Sequence, residues 1–227
     1  MTADLTAEAT GYYEWFRNEQ VTQSAGVNLQ AYTANAPRSV HRGIELGLNW
    51  RPLPAALPGA RLLASYSYND QFYADFAERL SAGATSAVFR RDGNAIPGVV
   101  PVFANAGAAY DQPGGPLARL GGFAEVTYRR HYFIDNANLL RVPGYALVNL
   151  NLHYDPPRGS EWWSRLSFFA SVQNLFDETY VGSASILADG IAAGTGLPNS
   201  ETVLRAITGS IYAGQPRTVY AGVRSRF

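Results

Sequence analysis

The stretch His41-Arg42-Gly43-Ile44-Glu45-Leu46-Gly47-Leu48-Asn49-Trp50 changes character at every residue. Arg42, Ile44, Leu46, Leu48 and Trp50 fall on one side of an extended chain, and His41, Gly43, Glu45, Gly47 and Asn49 on the other. Side chains of a strand alternate between two faces, so this is a strand with one largely apolar and one polar or small face. Its length, about ten residues, is what a tilted strand needs to cross a bilayer.

Seven further runs share the pattern. Leu62, Ala64, Tyr66 and Tyr68 oppose Arg61, Ser65, Ser67 and Asn69; Val102, Ala104, Ala106, Ala108 and Tyr110 oppose Phe103, Asn105 and Gly107. Leu120, Ala124, Val126 and Tyr128 oppose Glu125, Thr127, Arg129 and His131, and Ala146, Val148, Leu150, Leu152 and Tyr154 oppose Asn149, Asn151 and His153. Leu166, Phe168, Ala170 and Val172 oppose Arg165, Ser167, Ser171 and Gln173. The last run sets Val219, Ala221, Val223 and Phe227 against Thr218, Tyr220, Gly222, Arg224 and Arg226. A noisier first run surrounds Leu5, Ala7, Ala9, Tyr13 and Trp15.

Alternation also suits a soluble sandwich, so loop lengths and ring positions carry the choice. The connections run roughly 22, 8, 27, 6, 11, 10 and 41 residues, broadly alternating long and short as in outer-membrane barrels. Strand breakers fill the short ones: Pro52-Leu53-Pro54 with Pro58-Gly59, Gln112-Pro113-Gly114-Gly115-Pro116, and Asp155-Pro156-Pro157-Arg158-Gly159. With short turns on the periplasmic side, the downward strands end their apolar faces on Trp50, Tyr110, Tyr154 and Phe227. The upward strands end on Trp15, Tyr68 and Tyr128. Two aromatic girdles with smaller residues between them mark a membrane-spanning wall. The expected fold is all-β, an antiparallel transmembrane barrel segment of about eight strands. It is either a closed small barrel or part of a larger one.

Composition excludes several classes. Eighteen basic and eighteen acidic residues leave no excess charge for nucleic acid, and without cysteine there is no disulfide or thiolate site. No apolar run is long enough for a transmembrane helix, and residues 1–6 lack a signal-peptide pattern, which points to a fragment. His41, His131 and His153 share the polar face, but His153 lies at the inner strand end and the others at outer ends. They cannot meet at one metal, and no metal site or cofactor is expected. Glu45, Glu125, Arg61, Arg129 and Arg165 on the polar face could line a ligand path or pair with a plug, and the more ordinary reading is ion pairing across neighbouring strands. Ser183 and Ser185 have no base nearby in sequence, and nothing indicates an enzyme.

Several segments resemble the C-terminal half of TonB-dependent outer-membrane receptors. They are Asn35–Leu46, Asp92–Pro101 with its Ile96-Pro97-Gly98-Val99, Val142-Pro143-Gly144-Tyr145, Val172–Tyr180 with its Asn174-Leu175-Phe176-Asp177, and Gly214–Gly222. Their order and spacing cover nearly the whole chain. The resemblance implies energy-coupled import of ferric siderophores or other metal chelates by the parent protein, with residues 1–227 as the C-terminal part of a barrel of about 22 strands. The plug domain, through which the parent would meet the TonB complex, has no counterpart here. Outer-membrane lipid and the β-barrel assembly machinery are the implied partners. Tyr220, Gly222 and Phe227 match the assembly signal, and Ser225 departs from it. The resemblance places ligand contact in the outer loops, residues 17–38, 74–100 and 175–215. Tyr73, Arg90, Arg91 and Tyr132 are candidate contacts, since aromatics and arginines suit anionic chelates. Two other readings are a self-contained eight-stranded barrel of structural or adhesive role, and a soluble lipocalin-like barrel with its apolar face turned inward.

Overall fold

The computed structural model describes residues 4–25, 30–82, 84–157, 162–184, 191–197 and 211–225. In chain order the strands are β1 (Leu5–Ala25), β2 (Gln30–Trp50), β3 (Ala60–Asp75), β4 (Ala77–Ala82), β5 (Thr85–Arg90), β6 (Val102–Asp111) and β7 (Leu120–Arg129). There follow β8 (Tyr132–Phe133), β9 (Arg141–Val142), β10 (Tyr145–Tyr154), β11 (Leu166–Gln173), β12 (Val181–Ala184), β13 (Ile211–Ala213) and β14 (Thr218–Ser225). The main sheet has the order β14-β11-β10-β7-β6-β3-β2-β1-β4-β5, so the eight expected strands pair with their neighbours in sequence. No pairing joins β1 to β14 among the described residues.

The ladder aligns the apolar faces. One row of partners runs Leu5, Trp50, Leu62, Ala108, Ala124, Leu150, Val172, Val219 across all eight strands. A slip of one residue anywhere would turn a strand's apolar set to the polar side. These side chains are not buried: Leu46, Val126, Leu152 and Val223 are exposed, and Val219 is 66% exposed. An exposed apolar face of this extent on a sheet requires an apolar solvent.

The ring-bearing positions step across that row. Trp50 lies on it, Tyr110 two residues past Ala108 and Tyr154 four past Leu150. At the other end Tyr13, Tyr68 and Tyr128 stand eight, six and four residues above it. Two residues of stagger per two strands, at about 3.3 Å rise and about 4.8 Å spacing, tilts the strands by about 35°. About seven residues per strand then separate the two levels, roughly 20 Å, close to the apolar band of a membrane barrel. On β1 the position in step is Tyr13. Trp15, 71% exposed, sits one pleat further out with its ring centroid 6.3 Å from that of Tyr13. Phe227 lies outside the described residues.

The expected loops at the long end are largely strand. Residues 17–38 are mostly the outer half of the β1–β2 hairpin, whose register runs from Leu5↔Trp50 to Ala25↔Gln30. Only Asn18, with φ of 57°, and the opposing Pro37 drop out, because proline has no amide hydrogen to donate. Residues 74–100 likewise contain β4 and β5. Sequence alternation misses these parts because neither face there is uniformly apolar. The long end holds both buried clusters: Val21, Ala36, Tyr73 and Phe76 in one, and Tyr132, Ile134, Leu140, Val142 and Val181 in the other.

The two faces should respond oppositely to charge. Leu46→Arg, midway across the apolar face, is expected to cost about 2–4 kcal/mol in lipid vesicles, against within about 1 kcal/mol for Ser65→Arg on the polar face. Equilibrium unfolding of both variants measures the difference.

Candidate functional site

The long-loop end is held by three side-chain hubs, each rising from the end of a wall strand. In the first, Tyr73 on the outer part of β3 donates its hydroxyl to Asn136 Oδ1 at 2.7 Å, and Asn136 Nδ2 donates to Glu78 Oε1 at 2.8 Å. Arg91 Nε donates to Glu78 Oε2 at 2.8 Å. All four residues are buried. Burial, aided by the charges of Glu19 and Glu78, raises the Tyr73 phenol well above its ordinary range, so it stays a donor at any physiological pH. Around them, asparagines stitch segment 92–101 to the turn after β8. Asn138 exchanges bonds with the backbone of Ala95, and Asn94 donates to Asn136 O. Gly93 and Gly98 hold positive φ in this segment, which accounts for both glycines of its motif.

In the second hub, Arg129 at the end of β7 lies between the rings of Tyr132 and Tyr145, 5.0 and 4.6 Å from their centroids. It donates to the carbonyls of Gly182 and Val181 at 3.0 and 2.9 Å. The arginine thereby fastens β12, the first stem of the longest loop, to the rim. Gly144 is required beneath it: a side-chain carbon there would sit 2.5 Å from Arg129 O.

The third hub is Asn174, with φ of 51°. Its amide nitrogen donates to Glu178 O and Gln215 O, its side-chain oxygen accepts from Glu178 N, and its own backbone N–H reaches Asn149 Oδ1. Asp177 Oδ1 accepts from Arg217 N at 2.9 Å. The Asn-Leu-Phe-Asp motif therefore ties both stems of the 175–215 loop to the wall.

The residues singled out from sequence divide accordingly. Tyr73 (1% exposed), Tyr132 (4%) and Arg91 (8%) face into the packing. Arg90 is exposed and pairs with Asp92 and Asp75. His41 Nε2 lies 3.2 Å from Glu19, which also accepts from Ser39 Oγ, so the serine proton faces a carboxylate and not the imidazole. His153 pairs with Asp111 at the opposite end of the sheet, and no three metal-type ligands converge among the described residues. Gly222 leaves room for the Phe169 ring of the paired strand, 2.5 Å from where a side-chain carbon would be. Tyr220 is exposed beside it. Sequence reasoning passed over Glu78, Asp135 and Asn136. The Asp135-Asn136-Ala137-Asn138 run carried a turn signal that could have found the last two.

Removing the hub amide by Asn174→Ala is expected to cost about 2–4 kcal/mol and to open residues 175–217 to limited proteolysis while the wall stays protected. A pH series separates two carboxylates. Burial raises Asp135 above its usual 3.8, opposed by the amides of Leu139 and Leu140, so its turn tightens as pH falls toward 3.8. Asp92 is lowered by the Phe76 amide and Arg90, so its contribution holds above 3.8 and is lost only below it. Hydrogen exchange at Leu140 and Phe76 reads the two in turn.

Solved structures share this architecture. The siderophore receptor PiuA from Acinetobacter baumannii superposes with a TM-score of 0.63 at 18% identity, over 97% of this chain and 26% of its own. The ferric yersiniabactin uptake receptor FyuA from Yersinia pestis gives 0.64 at 20%, over 100% and 28%. The copper transporter OprC gives 0.67 at 18%, over 100% and 30%. The chain thus spans less than a third of the length of these proteins. A curated relative from Hydrogenovibrio crunogenus, named 3-isopropylmalate dehydrogenase, is 33% identical over 114 residues, covering 50% of this chain and 29% of the relative. That coverage carries no family assignment, and the all-antiparallel wall gives the name no support. Residues 2–175 match the model for "TonB dependent receptor-like, beta-barrel", and the chain belongs to that family of receptor barrels.

Proposed function

We propose that this chain forms the C-terminal wall of an outer-membrane receptor whose parent imports a ferric siderophore or a similar metal chelate with TonB-coupled energy. One observation carries the reading: the unbroken row of outward apolar side chains from Leu5 to Val219, bounded by aromatic levels, in a chain of this family. Similar structures named for siderophore, yersiniabactin and copper uptake support the ligand class. In this reading the apolar face meets outer-membrane lipid and the polar face lines the lumen. The plug domain and its coupling to TonB belong to the parent outside residues 1–227. The open edge of β14, with Tyr220 and Gly222, is what the assembly machinery would engage by strand addition.

Ligand contact falls to the outward surface above the three hubs. Arg90 is the sequence-chosen candidate with its guanidinium free to reach solvent. Tyr73, Arg91 and Tyr132 act in this reading by holding that surface in place. Membrane fractionation tests the location. The chain is expected in the outer-membrane pellet after a urea wash, and recovery as a detergent-free soluble monomer would overturn the proposal. In the parent receptor, Arg90→Ala is expected to raise the half-saturating concentration for chelate uptake by about tenfold. Unchanged uptake kinetics would remove Arg90 from the contact surface.

A further inference from the structure

At the short-turn end, away from the three hubs, a cleft of about 560 Å³ opens between the turn after β2 and the turn after β6. Its charged lining is Arg51, Arg61, Arg119, His153, Asp111 and Asp155. Arg61, Asp111 and His153 sit at polar-face register positions, opposite Ala109, Gly121 and Gly121 respectively. The cleft therefore belongs to the polar side of the wall.

The acids do not balance the bases. Asp111 Oδ1 is engaged by His153 Nε2 at 2.9 Å, and Gly121 makes that pair possible, since a side-chain carbon there would meet the imidazole at 2.5 Å. Asp155 has interactions of its own within the chain. Arg51, Arg61 and Arg119 enter no ion pair among the described residues. Three guanidinium groups against the carboxylates of Asp111 and Asp155 leave the cleft with a net positive charge, which favours an anion.

Backbone conformation gives an independent indication. Arg119 has φ of 67°, in the left-handed region, where a residue with a side chain costs roughly 1 kcal/mol more than glycine. The turn needs that conformation: Arg119 N donates to Gln112 O at 2.8 Å, and Arg119 O accepts from Asp155 N at 3.2 Å. Glycine would make the same two bonds with less strain, so the turn accounts for the conformation and not for the arginine. Strain held by a residue whose side chain lines a cleft points to use of that side chain.

We propose that this cleft is an anion site that takes an oxyanion carrying two or more negative charges, a phosphate group or a pair of carboxylates. Guanidinium forks suit such groups by paired, charge-assisted hydrogen bonds. The site uses none of the outer-end residues and is independent of chelate import.

Arg119→Gly provides the test, because it removes the side chain while suiting the turn. The full chain, refolded into an uncharged detergent, is titrated with inorganic pyrophosphate by calorimetry. The variant is expected to be at least as stable as the parent sequence and to bind pyrophosphate about tenfold more weakly, with Arg61→Gln giving a similar loss. The control Arg224→Gln, an exposed arginine outside the cleft lining, is expected to leave binding unchanged. Equal weakening by the control, or unchanged affinity in Arg119→Gly, overturns the proposal, as does absence of pyrophosphate binding at low salt. Competition with tetraglutamate identifies the source: displacement assigns the site to paired carboxylates, and retention of pyrophosphate assigns it to phosphate.

Discussion

The backbone ladder across eight strands is the constraint on which the rest of this structure depends. In an apolar solvent an amide or carbonyl without a partner costs several kcal/mol, so a spanning wall tolerates no gap in its ladder. Here the register holds without a bulge across the membrane-facing segments of β1, β2, β3, β6, β7, β10, β11 and β14. The one register shift within the main sheet among the described residues, between Arg38 and Ser39, lies beyond the outer aromatic level. There water and side chains can satisfy the displaced groups.

That constraint also explains where the buried residues are. The wall is one sheet thick with lipid-type side chains on one face, so it has no core of its own. Burial appears at the long-loop end, in one cluster on the outer parts of β1, β2 and β3 with Phe76, and in another made by β8, β9, β12 and the turn between β8 and β9. These regions behave as small soluble domains, with hydrophobic clusters, a buried Glu78–Arg91 pair and asparagine cross-links. Asn136 donates to Glu78 and Tyr73 to Asn136, while Arg91 Nη2 is buried without a hydrogen-bond partner among the described residues. The desolvation of such a pair offsets much of its mutual attraction.

Family motifs acquire physical roles on this frame. Ile96-Pro97-Gly98 supplies a left-handed turn that returns the chain to the wall, with Gly98 N bonded to Phe133 O at 2.8 Å. Gly144 lets two backbone segments touch beneath Arg129, and Asn174 fastens both stems of the longest loop. These motifs share one task, to fix outer segments onto the rim of the wall. That arrangement suits a surface which has to present contacts outward, since binding residues are best carried on loops positioned by a rigid scaffold.

Sequence alone determined the wall: strand number, which residues face which side, the short-turn end and the aromatic levels. Period-2 alternation is imposed by solvent contrast, and that contrast is local to each residue, so it can be read without partners. The same logic failed wherever contrast disappeared. Residues 17–38 and 74–100 looked like loops because their faces are mixed, and only pairing between distant segments makes them strands. The burial of Tyr73, Arg91 and Tyr132 was not legible either, because residue type carries no information about burial. The cleft around Arg119 was invisible for a related reason. Its arginines come from three turns and strand ends, and only the tertiary structure brings them onto one surface, where they outnumber the carboxylates.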